Sequence, residues 1–145
     1  MVLSRPVVTL IGLVSMALFV GCGGGSDRSP ASPSQSVNIS GSWLGSGEST
    51  VTRNSFSARA TFAQAGTSLS GTWSTISGLN GPNSGSLSGT VSSGGAISIV
   101  LTPSDPRTCT FTVTMNLENP GRMAGSYASR QCTVSDSGPI RLLKE

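Results

Sequence analysis

Acid–base and nucleophilic catalysis needs groups that exchange protons near neutral pH, and this chain is poor in them. It has no histidine, so triads and dyads built on imidazole are absent. Its acids are Asp27, Glu48, Asp105, Glu118, Asp136 and Glu145. Most fall in expected loops or at a terminus, and none is paired with a second acid on an expected strand. Serine and threonine are abundant, but none has an evident base. The three cysteines, Cys22, Cys109 and Cys132, lack a CxxC spacing and a histidine partner for a metal site. The chain is therefore expected to be no enzyme and to carry no metal and no cofactor. Binding is the chemistry left, and Trp73 and Tyr127 are the candidates to line a site for an apolar or aromatic ligand.

Those two residues belong to a repeat. Ile39-Ser40-Gly41-Ser42-Trp43 returns as Leu69-Ser70-Gly71-Thr72-Trp73, as Leu87-Ser88-Gly89-Thr90-Val91 and as Met123-Ala124-Gly125-Ser126-Tyr127. On a β-strand, positions one, three and five share a face. Each copy then turns a large residue, a glycine and a second large residue inward. Trp43, Gly41, Gly71, Gly89 and Gly125 are assigned to the structural core. The glycines are expected to thin the inner face, to let a bulky neighbour fit, or to let the strand bend.

Composition agrees with a strand-rich domain. Charged residues make up 10% of 145 positions, and glycine contributes 19, while the regular apolar alternation argues against disorder. The formal net charge is +3, and it falls to +2 once the first 21 residues, whose one charged side chain is Arg5, are removed. The remaining cations are scattered, and nucleic-acid binding, which needs a concentrated basic patch, is not expected.

The expected strands follow in order. The first spans Val37 to Gly45. Glu48 to Asn54 reads either as its continuation or as a polar loop. Phe56, Ala58, Ala60 and Phe62 alternate on the next strand, and Leu69, Gly71 and Trp73 on the one after it. A two-residue Ala65-Gly66 turn would pair Phe62 with Leu69, Ala60 with Gly71 and Ala58 with Trp73. Ser74 to Ser86 reads as a long loop, with Leu79 its one candidate buried contact. A Ser93-Gly94-Gly95 loop pairs Val91 with Ile97, Gly89 with Ile99 and Leu87 with Leu101. After a turn at Pro103 to Arg107, a loop at Asn119-Pro120-Gly121 pairs Leu117 with Met123, Met115 with Gly125 and Val113 with Tyr127. In that register Cys132 sits one residue away from the position facing Cys109, so a β-bulge near Arg130 is expected. Thr133 to Pro139 is a loop, and the last strand turns Ile140 and Leu142 inward. Eight strands with mostly short connections predict an all-β, antiparallel up-and-down barrel over residues 37–145, which removes its own edges. The alternative is a β-sandwich of two open sheets.

The N-terminus reads as a signal peptide over residues 1–21. It has one Arg and no acid at the start, then an apolar run from Val7 to Val20 that is short for a membrane span. Phe19-Val20-Gly21-Cys22 resembles the lipobox of bacterial lipoproteins, with Phe where Leu is usual. The resemblance implies diacylglyceryl attachment to Cys22, cleavage before it, and acylation of the new amino group. Two or more acyl chains give stable anchoring. Residues 22–36, rich in Gly, Ser and Pro, form a flexible tether. Gly23, where the family's sorting rule would read Asp as retention, implies the outer membrane of a two-membrane envelope. With Cys22 taken by lipid and the domain exported, Cys109 and Cys132 are expected to form a disulfide. It would close a 24-residue loop, contributing about 3.4 kcal/mol by chain entropy.

Asn38-x-x-Gly41-x-Trp43 resembles the first-strand signature of lipocalins, and the Leu-Ser-Gly-Thr-Trp strand resembles those of avidin; both belong to the calycin group of barrels. The resemblance implies that Trp43 packs at the closed end beside a basic residue of the last strand, with Arg141 as the counterpart. The chain is shorter than most lipocalins, lacks the C-terminal helix pattern, and offers no match to the avidin ligand residues.

Eight-stranded barrels are either filled or hold one small ligand. An inward set of about 19 large apolar residues favours a filled core, whereas Ala58, Ala60 and the repeat glycines leave space. The expected function is that of a membrane-anchored envelope lipoprotein binding a small apolar ligand. The alternatives are an interaction module and a structural lipoprotein without a ligand. The module would resemble the small envelope inhibitors of proteases and lysozymes, with its partner an envelope protein held by Ser74–Ser86 or Gln35–Asn38.

Overall fold

The computed structural model describes residues 37–77, 81–130, 132 and 135–145. The expected signal peptide, lipidated Cys22, tether and Leu79 lie outside these residues. Alternating large and small side chains form β1 (Gly41–Glu48), β2 (Ser55–Ala65), β3 (Ser68–Ser77), β4 (Gly81–Val91), β5 (Ala96–Pro103), β6 (Thr110–Asn119), β7 (Arg122–Arg130) and β8 (Ser137–Lys144). Each pairs antiparallel with the next, and β8 returns to β1, with Trp43 opposite Lys144 and Gly47 opposite Ile140. The sheet is a closed barrel in sequence order, not a two-sheet sandwich, and no helix occurs among the described residues.

Two hairpins have the register that their turns dictate: Val91↔Ile97 to Leu87↔Leu101, and Leu117↔Met123 to Val113↔Tyr127. Gly95 adopts φ +81°, the left-handed conformation that a three-residue loop needs. The β2–β3 hairpin differs by two residues from the expected pairing. Ala65 pairs with Ser68, so Gly66-Thr67 forms the turn; Phe62 faces Gly71 and Ala60 faces Trp73. Gly66 takes φ +61°, which puts glycine at the first central position of the turn. A shift of two keeps every side chain on its face.

Three further expectations are corrected. Ser74 to Ser86 is mostly strand: β3 continues to Ser77 and β4 starts at Gly81, with Ser77 opposite Gly81. The first strand begins at Gly41, and Glu48 to Asn54 resolves into the end of β1 and a polar loop, closed by Ser49 N–H on the Asn54 carbonyl at 2.9 Å. Cys109 and Cys132 are bridged, Cα to Cα 5.3 Å, but by another route than the expected bulge. The β6–β7 ladder runs unshifted to Thr110↔Arg130, and Cys132 meets its partner beyond the strand's end; a register irregularity falls instead between Leu117 and Asn119.

Three of the four repeat glycines owe their identity to close backbone approach and not to cavity space. A Cβ on Gly71 would run into the Thr61 carbonyl oxygen, one on Gly89 into that of Ser98, and one on Gly125 into that of Thr114. At these points neighbouring strands approach too closely for a side chain, as at the corners of a strongly curved sheet.

Candidate functional site

Short connections place the two ends of the barrel in different situations. The β2–β3, β4–β5 and β6–β7 turns and the chain's entry at Val37–Ser40 gather at one end. There Ile39, Trp43, Val91, Ile97 and Met123 are buried against one another. Trp43 is fully buried and donates its indole N–H to the Ile39 carbonyl at 2.8 Å. Gln64 ties the entering chain down, accepting from Ile39 N–H at 3.0 Å and donating to the Val37 carbonyl at 2.7 Å. The basic residue beside Trp43 is Lys144, its Nζ 5.7 Å from the ring centroid. It is not Arg141, which pairs with Ser46 and Ala124 and is exposed. This end is closed.

The opposite end holds a cavity of about 670 Å³, entered between the β1–β2 loop, the β5–β6 loop and the start of β8. That volume lies within the range of small-molecule sites, about 300–1,000 Å³. The expectation of a filled core therefore holds for one half only. Trp73 and Tyr127 both line this cavity. They belong to a chain of edge-to-face rings: Trp73–Phe111 at 6.0 Å, Phe111–Tyr127 at 6.3 Å and Phe56–Tyr127 at 5.4 Å. Such contacts fix ring orientation beyond simple burial. Ala58 and Ala60, the small inward residues of β2, give the cavity its width.

A polar network sits at the mouth, and no pattern in the sequence signals it. The Ser49 hydroxyl donates to Asp136 Oδ1 at 2.7 Å, and the Tyr127 hydroxyl donates to Asp136 Oδ2 at 3.0 Å. Asp136 N–H donates to Ser129 Oγ at 2.7 Å, and Thr50 N–H to the Ser137 carbonyl at 2.8 Å. The network binds the β1–β2 loop, β7 and the start of β8 into one rim. Burial, followed by the hydrogen bond and negative charge of Asp136, holds the Tyr127 hydroxyl protonated well above its ordinary range, while the Ser49 hydroxyl acts in the opposite direction. Ser49 and Tyr127 both commit their protons to Asp136, so the three groups brace the entrance. On the other side, Asp105 accepts from Arg107 N–H at 2.9 Å, and Cys109, in the disulfide, also lines the cavity.

Two further site features escape the sequence. Phe56 and Phe111 form the wall with Trp73 and Tyr127, and their alternation marks them only as inward-facing. Trp73 Nε1 is buried without a hydrogen-bond partner among the described residues. Among those residues, no group of three or more His, Cys, Asp or Glu could hold a metal ion.

No protein-family model and no curated protein matches this chain. Solved structures do match. The structure of EF1p2_mFAP2b bound to DFHBI superposes with a TM-score of 0.65 at 10% identity, covering 74% of this chain and 94% of that one. The redesigned β-barrel mFAP1 bound to DFHBI gives 0.62 at 12% identity, over 73% and 94%. A de novo designed fluorescence-activating β-barrel gives 0.60 at 14% identity, over 74% and 94%. At such identities the likeness is one of fold: a closed, eight-stranded antiparallel barrel, the architecture that the calycin resemblance implied.

Proposed function

We propose that this chain is a small-molecule-binding β-barrel held at a membrane of the cell envelope by lipid on Cys22. The observation that carries the binding is the half-filled interior, with one end packed solid and the other an aromatic-walled cavity with a polar rim. Eight strands leave room for one small ligand when the inward residues are small, and Ala58 and Ala60 supply that room. Barrels of the same fold, EF1p2_mFAP2b and mFAP1, are bound to DFHBI, which supports this use of the interior. The ligand is apolar or aromatic, matching walls such as Trp73, Phe111 and Tyr127. The anchoring rests on the Phe19-Val20-Gly21-Cys22 motif and the Gly/Ser/Pro segment after it, and the outer membrane on Gly23. The proposed role is carriage or storage without catalysis.

Native mass spectrometry of the protein isolated from its own host tests the binding. A retained small molecule is expected, and it should be lost in Ala60→Trp, which fills the cavity; a bare chain in both would refute the reading. The anchor has its own test. Cys22→Ser should leave the membrane fraction, and continued fractionation with membranes would refute lipidation.

A further inference from the structure

Charge is distributed unevenly around the cavity. Arg59, Asp105, Arg107 and Asp136 all contribute to its lining. Arg59 is exposed and pairs with Glu145 at 3.7 Å. Asp105 and Arg107 are exposed and share one turn, where the Asp105 carboxylate accepts the Arg107 N–H; water and salt screen both. Asp136 differs. It is half-buried, and neutral donors hold its carboxylate: the Ser49 hydroxyl and Ser137 N–H on Oδ1, and the Tyr127 hydroxyl on Oδ2. These orient the group without cancelling its charge, and among the described residues no Lys or Arg forms an ion pair with it. Oδ2 lies 3.0 Å from the hydroxyl of Tyr127, a buried ring that lines the cavity. The negative charge is therefore fixed at the edge of an apolar space, where attraction for a cation exceeds that in open water.

We infer that the cavity selects a ligand with an apolar body and one cationic end, a protonated amine or quaternary ammonium, which lies at the mouth against Asp136 while the body enters the aromatic interior. This rests on the binding reading above and names its ligand class. Among the described donors Oδ2 takes one, and a carboxylate oxygen accepts two. A hydrogen bond from a charged donor is roughly twice as strong as a neutral one. Tyr127 stands between Phe56 and Phe111, with ring centroids 5.4 and 6.3 Å away, and aromatic faces attract cations. A ligand carboxylate at the same place would meet Asp136 as a like charge.

The test titrates the full chain at pH 7 with 9-(aminomethyl)fluorene, 9-fluorenemethanol and fluorene-9-carboxylate. These share one tricyclic skeleton and carry an ammonium, a neutral hydroxyl and an anion. The ammonium should bind about tenfold tighter than the alcohol, and the carboxylate more weakly than either. Rising salt should narrow the gap between the two charged probes. In Asp136→Asn the ammonium should bind no better than the alcohol. Equal affinities for ammonium and alcohol, tightest binding by the carboxylate, or an ammonium preference that survives Asp136→Asn would each overturn the inference and leave the binding barrel standing. Failure of all three probes to bind would overturn the binding reading and the inference with it.

Discussion

Trp43 and Trp73 close the same five-residue strand pattern, yet one plugs the barrel and the other walls a cavity. The difference lies in what the neighbouring elements bring. Around Trp43 come Ile39 from the entering chain, Met123 from β7 and the Lys144 side chain over the ring. Around Trp73 come Ala60 in register on β2 and, beyond it towards the mouth, Thr75 and Asn83. A local pattern thus sets which way a side chain points, and the volume of its neighbours decides whether that direction is filled.

The largest expected effect follows from this contrast. Trp43→Ala should cost about 4 kcal/mol in denaturant unfolding, the usual cost of emptying a packed aromatic site. Trp73→Ala should cost about 2 kcal/mol, since it enlarges a space that is already open. Equal losses would break the distinction between the two ends. Next, replacing Cys109 and Cys132 by serine should cost about 3 kcal/mol through the freed unfolded chain. Amide exchange should then quicken around the mouth more than around the Trp43 end; uniform quickening would argue against two separable regions. Gly125→Ala should cost about 2 kcal/mol, because its Cβ meets the Thr114 carbonyl and the strands must part. Gly94→Ala, whose nearest neighbour is Ser92 Oγ at 3.8 Å, should change stability by less than about 0.5 kcal/mol.

A smaller effect reads the open end alone. Tyr127 is the sole tyrosine, so tyrosinate absorbance reports it directly. Its hydroxyl is raised above the ordinary value of about 10, chiefly by burial and then by Asp136. A raised folded-state value means that this group's contribution is fully present below about pH 10 and is lost as pH rises towards the folded value. The folded protein should therefore stay un-ionised at a pH where the unfolded chain titrates. Asp136→Asn should lower the folded value without bringing it fully to 10, since burial persists. No difference between Asp136→Asn and the parent would remove Asp136 from the rim network.

Much of the fold is legible in the sequence, because closure and two registers follow from alternation and turn chemistry. Gly95 sets one hairpin, and Pro120-Gly121, with the irregularity between Leu117 and Asn119, sets the other in the expected register. The β2–β3 hairpin differs by two because Ala65-Gly66 and Gly66-Thr67 are both reasonable two-residue turns, and both keep the apolar set inward. Ser74 to Ser86 looks like a loop in sequence for an instructive reason. That stretch lacks large inward residues because its inner positions, Thr75 and Asn83, face the cavity mouth, and because Gly85 abuts the Thr102 carbonyl. The missing apolar signal is a consequence of the cavity itself. The rim network is illegible for another reason. Ser49 and Asp136 lie 87 residues apart, and only barrel closure brings β1 beside β8. Trp73 and Tyr127 can be singled out as inward aromatics, but not the unpaired state of the Trp73 N–H.

Two methionines offer the most direct test of a barrel filled at one end and open at the other. Met115 and Met123 are both buried, at 2% and 0% exposure, and of the two only Met115 lines the cavity. In methyl NMR during titration with 9-fluorenone, the Met115 signal should shift progressively while the Met123 signal stays fixed. Equal shifts at both methyls, or none at either, would contradict the account.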